Sequence, residues 1–139
     1  MRRLHGLAVL LFALPALAAD PPAGGKVPEL IAPKYGAELD NGSMNMAVAK
    51  TWTFEWSAVP KATKYHIQVM GPKAKIPAVN TVVAKNKHQE TDRGYVIDDN
   101  RKDWTWKVRA FVGNKWQDWS EERKFDVKPL GQPAAPPKK

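Results

Sequence analysis

Apolar and polar residues alternate with a period of two along three stretches of the chain. Trp52, Phe54 and Trp56 alternate with Thr51, Thr53 and Glu55. Tyr65, Ile67 and Val69 alternate with Lys64, His66 and Gln68. Trp104, Trp106, Val108, Ala110 and Val112 alternate with Thr105, Lys107, Arg109 and Phe111. Successive side chains leave opposite faces of a strand, so this period predicts strands with one buried face. Phe125 and Val127 repeat the pattern near the end, and residues 79–84 and 95–97 carry shorter versions of it. Apolar spacing of three and four, the mark of an amphipathic helix, is not convincing anywhere after the first 25 residues. Turn formers separate the strands: Pro33 and Gly36, Asn41-Gly42, Pro60, Gly71-Pro72, Asn86, Asp98-Asp99-Asn100 and Gly113-Asn114. Several short strands divided by such turns predict an all-β fold, a single antiparallel β-sandwich or barrel, with no internal repeat.

The two ends of the chain read differently. Arg2 and Arg3 precede an apolar run over residues 7–17, and small residues at Ala16, Ala18 and Ala19 lead into a polar segment at Asp20. A basic start, a short apolar run and small residues are the parts of a secretory signal peptide. The run is shorter than the roughly 20 residues that span a bilayer, so cleavage, before Ala19 or Asp20, is expected to leave no transmembrane segment; the competing reading is an uncleaved anchor. The expected organisation is a signal peptide over 1–19, a flexible Pro/Gly leader over 20–27, a folded domain over 28–128 and a disordered Pro/Ala/Lys tail over 129–139. The protein is therefore expected to be exported, either periplasmic or secreted.

Composition sharpens this. The chain of 139 residues fits one domain, and it has no cysteine. A small exported domain without disulfides must hold itself by its core, which points to a bacterial envelope more than to animal secretion. Of the net charge of +8, Arg2 and Arg3 supply two units, leaving about +6 after cleavage. Such a balance suits an anionic surface as well as plain solubility. The lysines are dispersed, with Lys138-Lys139 the one adjacent pair, so no specific nucleic-acid partner is expected.

Three segments in order resemble a fibronectin type III domain. Thr53 to Val69, with Trp56, then Pro60 and Ala62, then Tyr65, Ile67 and Val69, is similar to the second and third strands of that family. Trp104-Thr105-Trp106-Lys107-Val108-Arg109-Ala110 resembles its sixth strand. Trp119-Ser120-Glu121 followed by Phe125-Asp126-Val127 resembles its last, and residues 28–33 then fit its first. The resemblance spans about 100 residues and implies an immunoglobulin-like sandwich. It departs from the family at Trp104, where a tyrosine often stands and bonds to the preceding corner. An indole donates but does not accept, so that bond must be remade or lost. Residues 73–94 match poorly.

Six tryptophans is a high count for this length. Trp52, Trp56, Trp104 and Trp106 share the phase of the buried positions and are expected in the core. Trp116 and Trp119 do not. Trp116-Gln117-Asp118-Trp119-Ser120 is similar to the Trp-Ser-x-Trp-Ser box of the cytokine-receptor branch of the family, with Gln117 in place of the first serine. The resemblance implies that Trp116 and Trp119 stack with outward bases of the neighbouring strand, Lys107 and Arg109. Two uses fit the same residues: a surface ladder that stiffens the last strands, or a platform for a ligand. The candidate ligand-binding residues are Trp116, Trp119, Arg109, Lys107, His66, Gln68 and Phe111.

No constellation for catalysis is evident. After residue 20 the histidines are His66, on an outward strand position, and His88, in a polar run; both are expected to be solvated, and neither has metal-ligand spacing. Asp98, Asp99, Asn100 and Asp103 could bind calcium, but a turn explains them equally and Arg101 and Lys102 would repel a cation. The expectation is a non-enzymatic binding or adaptor module of the cell envelope that uses no cofactor or metal and engages a protein or polysaccharide. The alternative is a structural or stabilising subunit of an envelope complex.

Overall fold

A computed structural model describes residues 26–131. The expected signal peptide, most of the leader and most of the tail lie outside the described residues. Nine strands follow one another: β1 (Leu30–Ala32), β2 (Ala37–Leu39), β3 (Lys50–Trp56), β4 (Lys64–Met70), β5 (Val79–Val83), β6 (Lys87–Asp92), β7 (Trp104–Val112), β8 (Lys115–Trp116) and β9 (Arg123–Val127). A single 3-10 turn, Asp98–Asn100, precedes β7. One sheet has the order β1-β3-β6; the other runs β2-β9-β7-β4-β5, with β8 also on β7. All pairs are antiparallel except β2 with β9, which is parallel. The two sheets pack face to face as an all-β sandwich. Among the described residues, no helix is long and apolar enough to cross a membrane.

The core follows from the alternation. Trp52, Phe54 and Trp56 of β3 point inward, and each meets an aromatic ring of the opposite sheet. Trp52 lies 5.1 Å from Trp104 and 5.4 Å from Phe125, Phe54 lies 5.1 Å from Trp106, and Trp56 lies 5.6 Å from Tyr65. Ile67, Val69, Val108, Ala110 and Val127 fill the space between them, fully buried. Burying each large ring contributes roughly 2–3 kcal/mol on area bookkeeping, which is how a sandwich without disulfides holds its sheets together. The indole N–H groups of Trp56 and Trp106 find no hydrogen-bond partner among the described residues.

The first chain segment serves both sheets. β1 pairs with β3, and Ser57 N–H donates to Glu29 C=O at 2.8 Å. The chain then turns at Pro33 to Gly36, where Gly36 has φ +74°, and continues as β2 beside β9.

Three features differ from the sequence expectation. β6 occupies a stretch that carries no apolar alternation. Its more covered positions hold His88 and Glu90, which pair with each other at 2.9 Å, so a polar couple lines this edge of the sheet where apolar side chains were sought. His88 is accordingly not solvated: its side chain is 16% exposed. Residues 95–97, expected as a strand, are irregular. Val96 is buried while Tyr95 and Ile97 face solvent, because the Asn41 side chain supplies the hydrogen bonds a strand partner would have given. Asn41 Nδ2 donates to Val96 C=O at 2.9 Å and to Lys128 C=O at 3.0 Å, and its Oδ1 accepts Val96 N–H at 2.9 Å. At the corner before β7, Trp104 Nε1 donates to Asn100 C=O at 2.6 Å.

At that same end of the sandwich, buried Lys50 forms an ion pair with Asp92, its cross-strand partner. The hydrogen bond from Lys50, aided by one from Gly94 N–H, holds the Asp92 carboxyl below its ordinary value.

Candidate binding face

Parity in β7 defines the outer surface of the larger sheet. Trp106, Val108 and Ala110 are fully buried, so Thr105, Lys107, Arg109 and Phe111 leave the opposite face. The outward residues of β4 stand in register with them: Lys64 opposite Phe111, His66 opposite Arg109 and Gln68 opposite Lys107. β5 extends the surface with Asn80 opposite Gln68 and Val82 opposite His66.

The remaining part comes from the chain after β8. Gln117 N–H donates to Ala110 C=O at 2.9 Å and Ser120 N–H to Val108 C=O at 2.8 Å. Ser120 Oγ accepts Val108 N–H at 3.0 Å. These bonds hold residues 117–120 extended along β7. The Gln117 amide donates to Val112 C=O at 3.1 Å and Lys115 C=O at 3.2 Å, closing the turn between β7 and β8.

The result is an alternating stack of rings and cations. The Arg109 guanidinium carbon lies 4.8 Å from the Trp116 ring centroid and 4.5 Å from that of Trp119. Lys107 Nζ is 4.8 Å from Trp119, and Lys64 Nζ is 4.3 Å from Phe111, whose ring meets Trp116 at 5.0 Å. Each such cation–ring contact is worth about 0.5–1 kcal/mol where water reaches it. Glu122 approaches Lys107 at 3.8 Å.

His66 ties the stack to the sheet. Arginine only donates, so His66 Nδ1 must accept from Arg109 Nε at 3.2 Å and from Nη2 at 3.1 Å. The His66 proton then sits on Nε2, which donates to Asn80 Oδ1; the same oxygen accepts from Gln68 Nε2 at 3.2 Å. The His66 ring lies 4.9 Å from that of Trp119 and 5.6 Å from that of Trp116. His66 is thus wedged among partners and not solvated as expected. The structure brings Trp116, Trp119, Arg109, Lys107, His66, Gln68 and Phe111 onto one face, each half-buried. It adds Lys64, which shares the outward phase of His66 and Gln68, and Asn80, which only the strand register could reveal.

The acidic group before β7 is a turn. Asp98 pairs with Arg101 at 2.8 Å and Asp103 with Lys124 at 3.5 Å. Among the described residues, no three His, Asp or Glu side chains stand together as metal ligands would. A separate cleft of about 580 Å³ opens between the first segment, at Leu30 and Tyr35, and residues 120–123.

The architecture defines an all-β sandwich with an aromatic, basic outer face. No protein-family model matches the chain, and no curated protein matches it.

Proposed function

We propose that the chain is an exported, non-catalytic binding or adaptor module of the cell envelope, built on a fibronectin type III-like sandwich, that engages a protein or polysaccharide through the face of β4, β7 and β8. The observation that carries this reading is the continuity of the stack: three cations and three aromatic rings alternate on an open, half-buried surface, with amide groups of Gln68 and Asn80 beside them. Rings offer flat apolar area to a sugar or a proline-rich segment, and the cations select acidic groups beside it. Among the described residues both imidazoles are engaged by neighbours, His66 by Arg109 and Asn80 and His88 by Glu90, which supports a non-catalytic role. The division into a three-stranded sheet and a larger one, with the last strand beside β7, supports the family resemblance. A glycan array probed with the protein and its Trp119→Ala variant tests the reading, together with an affinity pull-down from an envelope extract. Retention of a partner by the native chain and its loss with Trp119→Ala is expected. Equal retention by both places the binding elsewhere.

A further inference from the structure

The loops at the end of the sandwich where β3 and β7 begin carry exposed apolar side chains at their tips. Met44 is 66% exposed, Met46 56% and Val48 58%, all in the loop before β3; Ile76 is 79% exposed in the loop before β5, and Ile97 49% before β7. Scattered exposed apolar residues are ordinary, but alternation of three within one short loop, beside more on the adjoining loops, is not. The loops are held as a unit. Asn41 bonds to Val96 and Lys128, and Gly42 packs so closely on Gly94 that a Cβ there would meet its carbonyl oxygen at 2.3 Å.

The loop before β3 also bonds several of its own amides internally. Met46 N–H donates to Ser43 C=O at 2.9 Å, Val48 N–H to Ser43 Oγ at 2.9 Å and Ala47 N–H to Asn45 Oδ1 at 3.1 Å. Ser43 Oγ in turn donates to Asn45 Oδ1 at 2.7 Å. The polar groups of the tip are turned onto one another while Met44, Met46 and Val48 are held outward. Such a tip can leave water without stranding these amides, which is the condition for entering the boundary of a bilayer.

Charge identifies the kind of surface. Lys73, Lys75 and Arg93 lie exposed on the same loops, and among the described residues they form no ion pair. Most of the acidic groups at this end are already matched: Asp92 to Lys50, Asp98 to Arg101 and Asp40 to Lys128. We propose that this end of the sandwich docks on an anionic lipid surface, with Met44, Met46 and Val48 entering the headgroup boundary and Lys73, Lys75 and Arg93 meeting the phosphates. Apolar contact and headgroup attraction act together, as in interfacial segments that need two signals for stable attachment. This surface is distinct from the aromatic face and does not depend on it.

The chain has no cysteine, so a single introduced thiol can be labelled uniquely. An environment-sensitive fluorophore on Met46→Cys in the full chain reads insertion of this loop irrespective of any affinity residues 1–25 have for lipid. The same label on Lys85→Cys, in the turn between β5 and β6 at the other end, is the comparison. With vesicles of equal parts phosphatidylglycerol and phosphatidylcholine, the label at 46 should shift to the blue and brighten while the label at 85 does not. Phosphatidylcholine alone, or ~0.5 M salt, should abolish the response. Lys73→Glu with Lys75→Glu should raise the lipid concentration for half-response by roughly tenfold or more. No response at 46, an equal response at 85, or an equal response on neutral vesicles overturns the proposal; the last two would mean attachment by another segment or without headgroup selection.

Discussion

Replacing Arg109 with alanine, alone and together with Trp119→Ala, tests whether the outer stack is an energetic unit. Arg109 lies between two indoles at 4.8 and 4.5 Å and donates to His66. Two contacts at about 0.5–1 kcal/mol each, taken at the lower end because the face is open to water, and a bond to a neutral acceptor at about 0.5–1 kcal/mol give a cost of about 1.5–2 kcal/mol. For a domain of this size that lowers the melting midpoint by roughly 6–16 °C. Trp119→Ala removes one of the same contacts, so the double variant should be less destabilised than the sum by about 0.5–1 kcal/mol. Trp106→Ala, one strand position inside, should cost about 3–5 kcal/mol, since its ring is fully buried against Phe54. Urea unfolding followed by circular dichroism measures all four variants without relying on tryptophan emission. A coupling energy indistinguishable from zero would make the stack a mere juxtaposition. Equal damage from Arg109→Ala and Trp106→Ala would refute the inward–outward assignment of β7.

Asn41→Ala should cost about 1–3 kcal/mol, because it leaves the Val96 amide and carbonyl and the Lys128 carbonyl without their partner; urea midpoints give the value. Ser120→Ala should cost about 1 kcal/mol and speed hydrogen exchange at the Val108 amide, whose acceptor is the serine hydroxyl. Gly42→Ala should destabilise by about 1–3 kcal/mol, as the methyl would overlap the Gly94 carbonyl; a melt matching that of the native chain would show the loop able to yield. Asp92 has a folded pKa lowered from 3.8, so its contribution is complete above that value and is lost as pH falls through the lower folded value. Urea midpoints measured downward from pH 5 should therefore decline less steeply in Asp92→Asn than in the native chain.

Strands β3, β4, β7 and β9 were legible because water enforces alternation wherever one face is buried and the other wet. The same parity placed Lys107, Arg109, His66 and Gln68 on the outer face. β6 was not legible, because its more covered positions are His88 and Glu90, whose mutual bond does the work of apolar contact. Residues 95–97 misled in the opposite sense: their apolar side chains include Tyr95 and Ile97, which the fold leaves in solvent, and the backbone there is tied by a side chain 55 positions away. Lys64 shares the outward phase of His66 and Gln68 and was legible by the same parity, whereas Asn80 joined the candidate face only through strand register, which a single sequence does not specify for a strand as short as β5. The corner before β7 was open in the sequence. The indole of Trp104 closes it by donating to Asn100 C=O.

The parallel pairing of β2 with β9 has a mechanical consequence. β2 follows β1 near the start of the domain, β9 leads out of it, and the two run side by side in the same direction. Tension between the two chain ends would first load β1 on β3; once β1 is peeled away, it would draw β2 backward and β9 forward, sliding one along the other. The ladder from Ala37 opposite Phe125 to Leu39 opposite Val127, with Gly36 N–H on Lys124 C=O and Lys128 N–H on Leu39 C=O, would then bear the load in concert, where an unzipping pair breaks one bond at a time. A domain tethered at both ends would resist stretching up to a threshold and then yield abruptly.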